Sequence, residues 1–372
     1  MKTKIYIFFC LLIGLLSCES NDFEDYMEEV NSTFAYPQMF SAQNNYIADM
    51  YLVYQGTYHP MEYTKEQFAP YIYQQNGSEF NWLYDGFLFL ELTMPNGRQL
   101  GVNANKEDWK WLIDRHFGQG VGAHALNAVL QDLRKENKVP LRKRQVVISI
   151  PGPHSDPIDW GEIDGKNIDM TKDEDRIKSV KWFIDEVLKK WKESDLNELE
   201  FAGFYWLHEG GGGDVSDGTI LPAISDYIKS KGFYFYWIPY FGATMGSNWK
   251  KWGFDIAYQQ PNYFFQDLDI TSASRLSDAI QFASKYNMGM EFECNRNVTS
   301  ELHQKRFNEY LDYFDKNLVL NDAPIAYYDD RGTLFDMANS ADPVLVGLYN
   351  RICRIVADRQ KRADQLYNSV MK

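Results

Sequence analysis

Short apolar runs recur eight times along the chain, at 50–55, 82–92, 145–151, 199–207, 233–240, 255–260, 288–293 and 324–328. Each is rich in Ile, Val, Phe or Tyr and is bounded by Gly, Pro, Asn or charged residues, the signature of a buried strand. Near-continuous apolar runs, rather than strict alternation, are what a parallel sheet covered on both faces requires. Amphipathic segments lie between them, at 62–73, 106–116, 123–135, 173–193, 219–231, 247–252, 272–286, 301–317 and 343–358. The 173–193 segment carries Ile177, Val180, Trp182, Ile184, Val187, Leu188 and Trp191 close to a helical period. Gly232 marks the end of the 219–231 helix. The weakest helices follow the first and fifth strands, where 62–73 is short and 247–252 spans barely two turns.

Strands alternating with helices define the α/β class, and eight alternations predict a single (β/α)8 TIM barrel over 46–360, followed by a tail at 361–372. No GxGxxG follows a strand, which removes the dinucleotide fold. In a barrel of this kind the active site lies at the carboxyl ends of the strands.

The beginning of the chain has a different pattern. A basic start, Met1-Lys-Thr-Lys, an apolar stretch from 5 to 16 and the sequence Leu15-Leu16-Ser17-Cys18 read as an export signal over 1–17. A cysteine straight after Leu-Leu-Ser resembles the bacterial lipoprotein box, which predicts lipid on Cys18. The alternative is a soluble secretion signal with Cys18 incidental. The acidic stretch that follows opens a tether over 18–45 and resembles a surface-export tag. The expectation is an outer-membrane lipoprotein facing outward, with the periplasm as the alternative, and a monomer.

A formal net charge of −14 excludes nucleic acid as the natural partner. Of the four cysteines, Cys10 lies in the signal and Cys18 is assigned to lipid, leaving Cys294 and Cys353, which could pair in an oxidising compartment but read more readily as two buried thiols. Aromatic residues make up 16% of the chain. That is more than a core of this size needs, and the surplus fits flat rings against the apolar faces of sugars.

The candidate chemistry sits at strand ends. Glu209 closes GFYWLHE and is followed by four glycines, 210–213. The flanking Tyr205, Trp206 and His208 can wall in a carboxyl and raise its pKa. Glu291 and Glu293 close MGMEFEC; two residues apart on a strand, their side chains share one face. Two acids on different strands are the equipment for glycosidic cleavage, retaining at a separation of about 5 Å and inverting at roughly 6.5–9.5 Å. Glu293, nearer the strand end, is the expected nucleophile or base, with Glu291 deeper. The structural alternative is ion pairing, for instance of Glu293 with Arg296. Asp85 and Glu91, in WLYDGFLFLE, share parity, and Glu91, at the strand end, reads as a salt-bridged rim acid slightly more readily than as a substrate ligand. Gln260, Asn262 and Tyr263, in YQQPNYFF, place amides and a ring at the mouth, and Tyr58, Trp237, Tyr240, Tyr328 and Asp329 stand at other strand ends. Gln260 and Asn262 can donate to and accept from sugar hydroxyls; each of the other strand-end residues taken alone is more readily barrel packing than a sugar platform, and their clustering at one rim is the signal. The six His residues form no ligand-spaced cluster, so neither metal nor other cofactor is expected.

Taken in order, WLYDGFLFLE, GFYWLHE, WIPY, YQQPNYFF and MEFE resemble the family called domain of unknown function 4855, exported proteins that include many lipoproteins of Bacteroidota. The resemblance runs from about Tyr46 to Arg359 and implies an association with glycan breakdown, without assigning catalytic residues. A looser likeness is to retaining barrel glycosidases with the acid on strand four and the nucleophile on strand seven, the places of Glu209 and Glu293. That clan sets Asn before the acid, where this chain has His208. The expected function is a glycoside hydrolase acting on oligo- or polysaccharide. A non-catalytic glycan-binding lipoprotein is the alternative, and a metal-dependent hydrolase a third reading.

Overall fold

The computed structural model describes residues 36–55, 61–210, 217–265 and 274–370. Eight parallel strands close into a barrel: β1 Asp49–Tyr54, β2 Gly86–Leu90, β3 Arg144–Ile150, β4 Leu199–Trp206, β5 Tyr234–Trp237, β6 Ile256–Gln259, β7 Gly289–Glu293 and β8 Ile325–Tyr328. Each lies within one or two residues of a run in the sequence, save that the run at 82–92 begins four residues early and the run at 233–240 ends three residues late. Consecutive strands pair in order and β1 pairs with β8, so no edge is left open. Every residue of β7 is buried, as expected of a strand covered by helices outside and side chains inside.

The helices α1 Lys65–Ile72, α2 Lys106–His116, α3 Gly122–Lys135, α4 Asp173–Glu193, α5 Asp217–Ser230, α6 Ser274–Lys285 and α7 Glu301–Lys316 follow the expected segments. Their ends are chemically marked. Asn105 caps α2 by accepting from the backbone N–H groups of Glu107 and Asp108. In α4, acids fill the first turn and lysines the last, complementing the helix dipole. After β5 only a 3-10 segment, Gly246–Trp252, stands where a helix would be. Two short helices, α8 Val319–Asp322 and α9 Thr333–Ala338, flank β8.

Two hairpins, Tyr73–Asn76 with Glu79–Trp82 and Asp159–Ile163 with Lys166–Asp169, were not expected. Their short half-polar strands give no apolar run to read. The last helix, α10 Pro343–Val370, continues through the segment expected as a tail. It is held there because Arg359, Gln360 and Ala363 are buried and Asp364 accepts from Arg142. Residues 36–45, assigned to the tether, also pack. Asn44 is fully buried, and the Asn45 amide donates to Gln145, the Ala202 carbonyl and Tyr236, closing the barrel from the amino-terminal side. The signal and Cys18 lie outside the described residues. Cys294 and Cys353 are free, buried thiols, as expected. Among the described residues no helix is long and apolar enough to cross a membrane.

Candidate active site

Register fixes the site. β7 pairs with β8 so that Glu291 lies beside Ala326 and Glu293 beside Tyr328, and the shared parity of the two acids sends both carboxyls into the barrel mouth. β4 is bulged where its register with β3 shifts, and a Cβ on Gly203 there would lie 2.1 Å from the Tyr234 carbonyl oxygen. Beyond the strand, Gly210 turns with φ +72°, and a Cβ on it would lie 2.8 Å from the Trp237 ring. The chain thus leaves β4 sharply at Glu209, whose carbonyl accepts from the Tyr240 N–H at 3.1 Å.

Glu209, Glu291 and Glu293 line one cavity of ≈ 230 Å³ together with Tyr54, Tyr205 and Gln260. Glu291 and Glu293 are buried, whereas Glu209 reaches solvent at the mouth with protein crowding its flanks. Crowding raises the Glu209 pKa above the usual carboxylate value, and a hydrogen bond from Gln260 lowers it in part. Burial raises Glu291 well above its ordinary value, and the charges of Glu293 and Glu209 add to the effect. Burial also pushes Glu293 up, to about 7, against donors that favour its ionised form. Those donors are the Tyr310 hydroxyl, which hydrogen-bonds Glu293 Oε2, and the backbone N–H groups of Asn262 and Tyr263. None of the ion pairs among the described residues involves these three acids, so the expected alternative of an Arg296 pair does not occur; Arg296 pairs with Asp336.

A second cavity of ≈ 760 Å³ adjoins the first and is lined by Trp206, Trp237, His208 and Met245 among others. Its floor is braced by a buried network. Asp217 accepts from the Arg176 guanidinium at 2.8 Å, from Trp206 Nε1 at 3.1 Å, and contacts His208 Nδ1 at 2.7 Å. His208 Nε2 faces the Gly101 carbonyl at 2.8 Å, so the ring points away from the carboxyls and toward the larger cavity. Sequence reasoning missed Arg176 and Asp217, which are separated from the strand ends and carry no spacing signal. It also missed Tyr310, which hides as one apolar-face residue of α7.

The remaining expectations divide. Tyr240 lines both cavities and is exposed, and Gln260, Asn262 and Tyr328 line the smaller one. Trp206 and Trp237 line the larger cavity as buried walls; Trp237 stacks on Phe254 at 5.0 Å and donates to the His208 carbonyl. Tyr263 is not at the cleft: its ring is buried and its hydroxyl donates to Glu309 at 2.6 Å, so it serves only through its backbone N–H. Asp329 lines neither cavity. It is buried and accepts from Tyr51, Tyr71 and the Leu334 N–H, a structural knot that turns the chain after β8. Asp85 lies at the opposite end of the barrel, paired with Arg142. Glu91 is buried and accepts from the N–H groups of Leu92 and Thr93. Tyr58 lies outside the described residues. Among those described, no group of three or more His, Cys, Asp or Glu is placed to hold a metal ion.

The fold and the position of this site define a TIM barrel with its polar groups gathered at the carboxyl ends of the strands. The chain belongs to the family described as a domain of unknown function (DUF4855), which matches residues 49–354. No curated protein matches the chain. Solved structures with a similar course include concanavalin B, at 12% identity and TM-score 0.42, covering 82% of this chain and 98% of that one. A GH113 beta-1,4-mannanase gives 10% identity and TM-score 0.41, with the same two coverages. A mutant tryptophan synthase alpha-subunit from Pyrococcus furiosus gives 6% identity and TM-score 0.40, covering 85% of this chain and 97% of that one.

Proposed function

We propose that the protein is a glycoside hydrolase acting on oligo- or polysaccharide through two carboxyls. One observation carries this: two buried glutamates of β7 and Glu209, just beyond β4, share a cavity with no neutralising cation among the described residues. Burying carboxylates in that way is unfavourable unless protons are held among them, and a held proton is what a general acid supplies. Glu209, raised and reaching solvent, donates its proton to the leaving glycosidic oxygen as the bond to the anomeric carbon breaks. Glu293 has the donors that favour a carboxylate. It supplies the electron pair, either to the anomeric carbon directly or by taking a proton from the attacking water. Glu291 stays protonated through burial and its neighbours' charge, leaving it an O–H to offer a sugar hydroxyl. Gln260 keeps the Glu209 carboxyl oriented.

The test is turnover on a panel of polysaccharides, read as new reducing ends. The wild type releases them, and E209Q and E293Q each fall by about 10³-fold while remaining folded. Unchanged activity in both variants removes the catalytic pair, and a wild type inactive on every glycan removes the hydrolase.

We propose also that lipid on Cys18 holds the protein, as a monomer, at the outer membrane with the barrel facing outward. The support is the signal and acidic tether in the sequence alone. Radiolabelled palmitate incorporated by the wild type and not by C18S is the expected result.

A further inference from the structure

The two cavities at the mouth meet at Leu92, Glu209 and Tyr240, which line both. Glu291 and Glu293 line only the smaller, and Trp206 and Trp237 only the larger. A general acid protonates the oxygen that joins two sugar units, so the scissile bond must lie beside Glu209, where the cavities meet. The unit whose anomeric carbon faces Glu293 then occupies the smaller cavity, and the leaving portion occupies the larger.

Volume sets how much chain each side holds. An apolar cavity of about 150 Å³ takes one benzene ring. By that measure ≈ 230 Å³ takes a single sugar ring with its hydroxyls, and ≈ 760 Å³ takes several. The wall facing Glu209 across the barrel is aromatic. β8 is four strands from β4 in the closed order, and its Tyr328 packs edge-to-face on Tyr54 at 5.5 Å and on Phe265 at 5.7 Å. These three rings line the smaller cavity on that side.

We infer that the cleft is divided at Glu209 into a pocket one sugar unit deep and a longer leaving-group channel, so that the enzyme removes single units from the non-reducing end of a chain. This rests on the hydrolase reading and deepens it. Because the linkage is unidentified, the probes are tetrasaccharides of gluco-, manno-, galacto- and xylo-configuration, each with a fluorophore at the reducing end. The first labelled product from any probe that is cut should be the trisaccharide. A labelled disaccharide or monosaccharide appearing first would overturn the one-unit pocket and leave the hydrolase standing. Turnover of none of these probes or of the polysaccharide panel would overturn both. F265A, which opens the aromatic wall, should shift the first labelled product from trisaccharide toward disaccharide. A folded F265A with an unchanged product pattern would overturn the wall's role and with it the inference.

Discussion

The two ends of the barrel bury similar numbers of acids in opposite electrical surroundings. At the amino-terminal end Asp49 pairs with Arg359 at 2.6 Å and also accepts from Gln360 and Tyr327. Asp85 beside it pairs with Arg142 at 2.8 Å and receives the backbone N–H groups of Ala48 and Asp49. Arg359 in turn donates to the carbonyls of Leu320, Ala48 and Ala323, so α10 is bolted to the strand starts. At the carboxyl end Glu209, Glu291 and Glu293 share one cavity, and among the described residues only neutral donors meet them. One end uses charge to fix the fold; the other holds charge in tension, and the difference separates stability from chemistry.

Neutralising one carboxyl at each end should break that symmetry most visibly. E293Q should lose about 10³-fold in kcat/KM while keeping its stability. D49N should keep the kcat/KM of the folded protein but lose about 3–5 kcal/mol in urea unfolding, because the buried Arg359 guanidinium is left without its carboxylate. If D49N impaired catalysis and E293Q impaired folding, the division of labour between the ends would be wrong.

A smaller effect is expected in the pH dependence of stability. The Glu291 pKa is raised in the folded protein, so between the unfolded value of about 4.3 and the folded value the native state binds more protons. Stability contributed by this group is therefore present at low pH and falls as pH rises through that window. E291Q should flatten the fall, gaining on the order of 1 kcal/mol per unit by which the carboxyl is held up. Unfolding curves at pH 5 and pH 8 check this; equal slopes for wild type and variant would contradict it.

The smallest expected effect concerns Tyr310. Y310F removes a donor that favours ionised Glu293, so the acidic limb of the activity profile should move to higher pH, with a loss on the order of 10-fold at neutral pH. A loss without movement of the limb would make Tyr310 a packing residue.

The contrast between the ends also explains what could be read from the sequence. All eight strands were legible because burial on both faces leaves near-continuous apolar runs, as in GFLFL of β2. Glu209, Glu291 and Glu293 were legible because a carboxylate inside such a run has no cheap structural reason to be there. The bolts of the amino-terminal end were not. Arg359 lies 310 residues from Asp49, and nothing local to either residue names the other. The same held for Tyr310, and for Asp217 with Arg176, whose roles exist only once the helices are docked. Asp329 misled because a strand-end acid gives the same pattern whether it meets substrate or, as here, the hydroxyls of Tyr51 and Tyr71.

The most direct measurement needs no substrate: a carbon NMR titration of the protein with labelled glutamate carboxyls, in the wild type and in E209Q, E291Q and E293Q. A carboxyl titrating near 7 that disappears in E293Q is predicted, with further raised midpoints that disappear in E209Q and E291Q. Removing Glu293 should also lower Glu291, because its charge no longer opposes that of Glu291. Glutamates that all titrate near the ordinary value of about 4.3, indifferent to these substitutions, would contradict the account.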